Sequence, residues 1–167
     1  AAIQTCIRGE IAGSWLSGGL DSSVIAALAR RHVRELHTVA AGVAGAPDLA
    51  AAREVADYLK TRHHEVVLTV DDMISILPKV IEHLESFDAL LVRSSVMNYR
   101  AAQEIARHSP ATFSGEAGDE LFAGYEYLKT IAPSGLADEL IDITNRLHNT
   151  ALQRVDRSAA SAGLLVH

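Results

Sequence analysis

The sequence predicts an α/β chain built on a doubly wound parallel sheet, and three observations predict it. Short apolar runs alternate with amphipathic helical patterns along most of the 167 residues. That alternation yields a parallel sheet covered by helices on both faces. Glycine- and serine-rich loops follow the apolar runs, where ligands sit in such folds, beyond the carboxyl ends of the strands.

Residues 11–16 form the first strand, ending at Ser17-Gly18-Gly19. A helix over 22–31 follows, with Val24, Ile25, Leu28 and Ala29 on one face. Residues 36–41 are the second strand, and Gly42, Gly45 and Pro47 make a loop. Asp48 caps a helix through Lys60 that buries Leu49, Ala52, Val55, Ala56 and Leu59. Residues 64–70 alternate and are β-branched, so they form a third strand. A helical stretch over 71–85 contains Pro78, which should kink it or start a new helix. Ser94 or Ser95 caps a helix to His108 that turns Val96, Tyr99, Ala102, Ile105 and Ala106 inward. Residues 111–114 are the fourth strand, 115–124 a loop, and 139–152 a last clear helix. The strand rule therefore points to the loops after Leu16, Ala41 and Ser114.

Bulk properties narrow the function. The length suits one domain, 1–167. Hydrophobic residues at 49% and charged residues at 22% are those of a folded globular chain. A net charge of -6 with no basic run disfavours nucleic acid as a partner, since phosphate neutralisation needs clustered Lys and Arg. No apolar run approaches the roughly 20 residues of a membrane helix, so no membrane partner is expected. Cys6 is the one cysteine, which fits a reducing cytoplasm. No metal-spaced Cys or Cys/His set is visible. His63 and His64 are adjacent on a strand and so point to opposite faces, which favours a structural role over a joint metal site.

Residues 17–23, Ser-Gly-Gly-Leu-Asp-Ser-Ser, carry the chemistry. Two glycines let backbone N–H groups approach a ligand. The following helix adds unpaired donors and a partial positive charge, and Ser17, Ser22 and Ser23 add hydroxyls. Together these suit a phosphate. Asp21 would repel a bare phosphate, so it makes sense as a magnesium ligand bridging to it. No Lys stands in the Walker position, so this is not a γ-phosphoryl-transfer loop. The plain alternative is a Ser/Gly turn with Asp21 as a helix cap.

This heptad resembles the pyrophosphate loop of the ATP-pyrophosphatase superfamily, which splits ATP between its α- and β-phosphates. Further segments resemble asparagine synthetases in particular, in that family's order: 36–42, 45–49, 61–66, 93–95, 114–125 and 156–157. The resemblance implies the adenine-nucleotide α-hydrolase-like fold and a carbon–nitrogen ligase. It implies ATP and Mg2+, held by Leu16, Ser17, Gly18, Gly19, Asp21, Ser22, Ser23, Ala41, Ser114 and Gly115, with Asp21 and Asp119 on the metal. Glu116 is then the catalytic carboxylate facing the acyl-adenylate and ammonia, as general base or electrostatic stabiliser. β-Lactam synthetases resemble this family but have Tyr at the matching place, so Glu116 favours the asparagine-type reaction.

The implied reaction adenylates the aspartate β-carboxylate, releases pyrophosphate, and transfers ammonia to give asparagine. Alternatives are a nucleotide-binding module without turnover and another amide-forming synthetase, such as a macrolactam cyclase. Arg93 matches a family arginine near the cleft, where it could meet a carboxylate or phosphate; a surface salt bridge is the equal alternative. Trp15, Phe122 and Tyr125 are expected to pack.

Three departures from the pattern stand out. The family's N-terminal glutaminase domain has no counterpart here, so ammonia comes from solution or from a partner. The family's downstream Arg-Val-Pro-Phe segment and pyrophosphate-contacting lysine also have none, so the chain is expected to be truncated at its C-terminal side. Met97, Asn98 and Arg100 stand where the family has Pro, Met and Leu around its tyrosine.

Overall fold

The computed structural model describes residues 2–7, 9–147 and 151–167. Its five strands form one sheet in the order β3-β2-β1-β4-β5, with every neighbouring pair parallel. In chain order the elements begin with α1 (Ala2–Cys6), β1 (Ile11–Trp15), α2 (Leu20–Arg30), β2 (Glu35–Gly42), α3 (Pro47–Leu59) and β3 (Arg62–Val67). Then come α4 (Val70–Leu84), α5 (Ala89–Ile105), β4 (Ala111–Phe113), the short α6 (Gly118–Phe122), a 3-10 turn (Glu126–Thr130), α7 (Pro133–Arg146), α8 (Ala151–Ser161) and β5 (Leu165–Val166).

The alternation of β2 sorts its two faces. Leu36 and Ala40 pack with Ala26, Ala29, Leu49, Ala52 and Ala56 under α2 and α3. Val39 packs with Ala101, Ala102, Ile105 and Ala159 under α5 and α8. The sheet is therefore covered on both sides. Small residues bring the helices close: a Cβ on Gly13 of β1 would lie 2.7 Å from Cγ1 of Ile105. A third cluster joins α4 to α5 through Leu68, Val80, Leu84, Val92, Val96 and Tyr99. Each fully buried Leu or Val contributes about 1.5–3 kcal/mol relative to exposure.

Several boundaries differ from the sequence expectation, each for a local reason. Asp48 lies in the first turn of α3; Ala46 is the N-cap, and Pro47 starts the helix with its φ already set. Thr69 and Asp72 form a reciprocal capping box, so the chain leaves β3 at Val67 and Val70 opens α4. Pro78 sits inside α4 without ending it. The carbonyl it frees belongs to Ile74, which is exposed and open to water, while Val80 and Leu84 beyond it are buried. The helix expected to be capped by Ser94 or Ser95 begins nearly two turns earlier, at Ala89, because the Asp88 carboxylate accepts from the Leu91 N–H at 2.8 Å.

In α2 the buried face is Ser22, Ala26 and Ala29, and Val24 and Leu28 are exposed. Small side chains make up the fully buried face, with Ile25 partly buried against the same cluster. The helix expected over 139–152 is instead α7, begun by Pro133, followed by α8; residues 148–150 lie outside the described set. Among the described residues, no helix is long and apolar enough to cross a membrane.

Candidate active site at the sheet switch point

The strand order reverses between β1 and β4, which both leave the sheet at the same end. Such a switch point opens a crevice between the two loops that follow. A cavity of about 710 Å3 fills it, lined by Ser17, Gly19, Asp21 and Ser22 from the loop after β1 and by Ser114 to Glu120 from the loop after β4. A smaller cavity of about 120 Å3 adjoins it, lined by Leu16, Ser17, Ala41, Asp48 and Leu49 among others. Trp15, Ser17 and Asn98 line both.

The loop after β1 is held by its own hydroxyls. The Ser17 N–H donates to Ser22 Oγ at 3.2 Å, and the two hydroxyls lie 3.0 Å apart. The Gly19 N–H meets Ser17 Oγ at 3.3 Å, and Ser23 Oγ donates to the Gly19 carbonyl at 2.6 Å. Gly18 has φ +79°, and a Cβ there would lie 2.5 Å from Ala51 Cβ and 2.7 Å from backbone atoms of α3. Glycine is required at that position by both conformation and space. Gly19 is the N-cap of α2 and offers no side-chain cap, so the helix leaves its first N–H groups toward the cavity.

The loop after β4 packs directly on this turn. A Cβ on Gly115 would lie 2.7 Å from the Ser22 backbone nitrogen. A Cβ on Gly118 would lie 2.5 Å from Cγ of Asp21. The second glycine-rich segment thus brings Asp119 toward Asp21. Partial desolvation, followed by the negative charges of Asp21 and Glu120, pushes the Asp119 carboxyl above the usual carboxylate range. Asp21 and Asp119 both line the cavity and feel each other's charge, an oxygen donor set that suits a magnesium ion. The Glu116 N–H donates to Ser114 Oγ at 3.1 Å, and its carboxylate accepts from the Arg154 guanidinium.

Of the residues expected at the site, Ser17, Gly19, Asp21, Ser22, Ser114, Gly115, Glu116 and Asp119 line the larger cavity, and Leu16 and Ala41 the smaller. Gly18 and Ser23 line neither and shape the loop from behind. Arg93 is exposed on α5 and lines neither cavity. Phe122, expected to pack, is 82% exposed at the cavity edge. Tyr125 donates to Glu120 Oε1 at 2.6 Å, and desolvation with that bond raises its hydroxyl pKa well above the ordinary value. Trp15 is half-buried, and its indole N–H has no protein partner.

Among the lining residues that sequence reasoning did not assign to the site, Arg154 and Asn98 carry the polar groups of most interest. Arg154 reaches it from α8, 38 residues from its partner, with no local signal. Asn98 was visible as a departure from the family pattern, and it lies where the two cavities meet.

The fold and the family agree with this geometry. The NH3-dependent NAD synthetase from Campylobacter jejuni superposes with a TM-score of 0.55 over 91% of each chain at 15% identity. The NMN synthetase from Francisella tularensis superposes with a TM-score of 0.50 over 93% of this chain and 86% of that one, at 16% identity. These likenesses show the fold, that of the adenine-nucleotide α-hydrolases.

In sequence, the chain is 38% identical to asparagine synthetase (glutamine-hydrolyzing) 3 of Arabidopsis thaliana over 91% of this chain and 28% of that protein. It is 39% identical to the probable asparagine synthetase (glutamine-hydrolyzing) of Dictyostelium discoideum over 92% of this chain and 30% of that protein. The chain therefore spans less than a third of the length of these curated relatives. The family model described as asparagine synthase matches residues 3–166. On that match and those identities, this chain belongs to the asparagine synthase family.

Proposed function

We propose that this chain is the ATP-binding part of an amide-forming synthetase that adenylates the aspartate β-carboxylate and transfers ammonia to it. The observation that carries the reading is the placement of the glycine-rich loops after β1 and β4 around one cavity that Asp21 and Asp119 both line.

Residues 17–23 and the N-terminus of α2 hold the phosphates through backbone N–H groups and the serine hydroxyls. Leu16 and Ala41 border the smaller cavity, which is on the scale of the adenine base. Asp21 and Asp119 would hold magnesium, which when bound neutralises phosphate charge and polarises the phosphoryl oxygens. The aspartate β-carboxylate attacks the α-phosphorus and pyrophosphate leaves, because a free carboxylate oxygen is too poor a leaving group for direct amide formation. Ammonia then attacks the activated carbonyl and AMP departs. Glu116 takes a proton from the amine or stabilises the charge on it. Ammonia comes from solution or from a glutaminase domain or subunit; the relatives are named glutamine-hydrolyzing.

The test is a pair of variants read by two assays. Calorimetry measures Mg-ATP binding, and product analysis measures AMP, pyrophosphate and asparagine from ATP, aspartate and ammonia. Asp119→Ala should weaken binding. Glu116→Gln should leave binding near wild type and slow turnover by about 10²–10⁴, the usual contribution of a general base. ADP as product would sink the reading. Intact ATP binding with no AMP release would make the chain a binding module.

A further inference from the structure

Away from the nucleotide cavity, three histidines meet on the face of the sheet that α5 covers. His64 of β3 pairs with Val39 of β2, so His37, two residues before Val39, stands on the same face. His108 comes from the turn after α5. One ring nitrogen of each lies within 4.8 Å of those of the other two. Nδ1 of His37 is 2.9 Å from Nε2 of His64. The ring centroids of His64 and His108 are 4.0 Å apart, and those of His37 and His108 4.8 Å. His37 is buried and the other two are half-buried.

Both outer rings are already oriented by carboxylates. Nε2 of His37 lies 2.8 Å from Oε1 of Glu35, which Arg62 also holds at 2.8 Å. Nε2 of His108 lies 3.2 Å from Oε1 of Glu104, and Arg107 holds that carboxylate at 2.7 Å. A carboxylate on one ring nitrogen fixes the proton there and makes the second nitrogen the acceptor, as metal-binding histidines are commonly held; in His37 that nitrogen now meets His64 Nε2, a contact a bound ion would replace.

We propose that His37, His64 and His108 form a binding site for a divalent first-row transition ion of the zinc type, independent of the nucleotide site. Zinc–nitrogen bonds of about 2.0–2.1 Å place three tetrahedral ligand atoms roughly 3.3–3.4 Å apart. That spacing falls between the 2.9 Å of the closest pair and the 4.8 Å outer limit of the set; the rings lie stacked within 15° of parallel, so binding would turn them to converge their nitrogens on one ion. Imidazole ligands select zinc, nickel, cobalt or copper over magnesium, whose preference is oxygen. The site joins β2, β3 and the turn before β4, toward the amino ends of strands whose carboxyl ends carry the nucleotide loops. Its ion would act as a clasp on the fold, stabilising the native state by binding it alone.

The experiment titrates the chelator-treated chain with zinc and with cobalt(II), without ATP. One equivalent should bind, cobalt should give the visible absorption of a low-coordinate nitrogen-ligated ion, and zinc at a hundred times its Kd should raise Tm by about 5–10 °C. His64→Ala and His108→Ala should each lower affinity by more than the 10–100-fold that an orienting partner carries, and Glu104→Gln by about that 10–100-fold. Circular dichroism checks that each variant is folded, and His83→Gln should bind as wild type. The absence of one-equivalent binding would overturn the proposal. So would binding that survives the folded His64→Ala/His108→Ala double variant, or, where that variant does not fold, binding unchanged by Glu104→Gln. Loss of zinc binding with Mg-ATP binding retained would support this site whatever becomes of the synthetase reading.

Discussion

The Arg154 guanidinium of α8 donates to the Glu116 carboxylate at the wall of the larger cavity, and it also donates to Ser94 Oγ at 3.3 Å. The side chains of Arg154 and Glu116 are only 25% and 20% exposed, so each desolvates the other's surroundings as it neutralises its charge. This pair connects the loop after β4 to α8. It also supplies a cation to a cavity otherwise rich in carboxylates. Arg154→Met keeps the side-chain bulk and removes the charge. It should lower stability by about 1–3 kcal/mol, because Glu116 is left partly buried without its partner. Adding Glu116→Gln should recover part of that loss. Urea unfolding of the two single variants and the double variant measures the coupling; additive effects would mean the contact contributes nothing.

Gly118 has no room for a side chain beside Asp21, since a Cβ would lie 2.5 Å from its Cγ and 2.8 Å from both carboxylate oxygens. Gly118→Ala should therefore displace the Asp21 carboxylate while leaving the core intact. The expected outcome is weaker Mg-ATP binding with little change in Tm. Gly18→Ala should behave differently, because the obstruction there is the α3 backbone and φ is positive. It should cost at least about 1 kcal/mol of stability as well as binding. Calorimetry and thermal unfolding of both variants separate the two effects.

Asp119 links the site to pH. Its folded-state pKa is raised, by partial desolvation and then by Asp21 and Glu120. The folded protein therefore binds more protons than the unfolded chain between the ordinary carboxylate pKa and the raised one. Stability must fall as pH rises through that window and stay at the lower value above it. In magnesium-free buffer, Asp119→Asn should be more stable than wild type at pH 7 and should flatten that part of the profile. Magnesium should raise the Tm of wild type and not that of the variant. Unfolding curves across acidic to neutral pH, with and without magnesium, read both effects.

His63 titrates with the opposite sense. It lies on the other face from His64, with Nδ1 3.0 Å from Thr38 Oγ1, and burial lowers its pKa below the ordinary 6.5. The unfolded chain then binds the extra proton, so the stabilisation is full above pH 6.5 and is lost as pH falls through the folded pKa. His63→Gln should reduce the loss of stability on going from pH 7 to pH 5 in the presence of a chelator. Denaturant midpoints at the two pH values decide it; an unchanged slope would show that other groups set the acid limb.

Much of the fold was legible because its signals are local. The apolar runs at Ile11, Leu36 and Ala111 became β1, β2 and β4, and the glycine-rich segments after β1 and β4 are short stretches whose residue types follow from backbone demands. Gly18 needs its positive φ, and Gly115 and Gly118 need close approach. Helix starts were less legible, since several residues could cap each one. Asp88 won over Ser94 and Ser95 because its carboxylate reaches the Leu91 N–H. The buried face of α2 was misread because periodicity marks Val24 and Leu28 as apolar but carries no information on how near the sheet lies.

The divide between the two sources of information follows sequence separation. Residue types and short spacings decided that Ser17 to Ser23 would be a glycine- and serine-rich strand-to-helix loop, that residues 114–125 would be an acidic glycine-rich segment, and that His63 and His64 would face opposite ways. Packing alone decided which distant residues meet. The strand order places β1 beside β4, and so puts Asp21 near Asp119. The α8 helix returns across the sheet to bring Arg154 to Glu116. The turn after α5 sets His108 on His37 and His64, three residues whose sequence spacing suggests no common site. The physical reason is range. Caps, turns and glycine conformations are settled within a few residues of backbone, whereas these meetings depend on how the helices and strands pack, which the core sets by burying apolar surface without regard to distance along the chain.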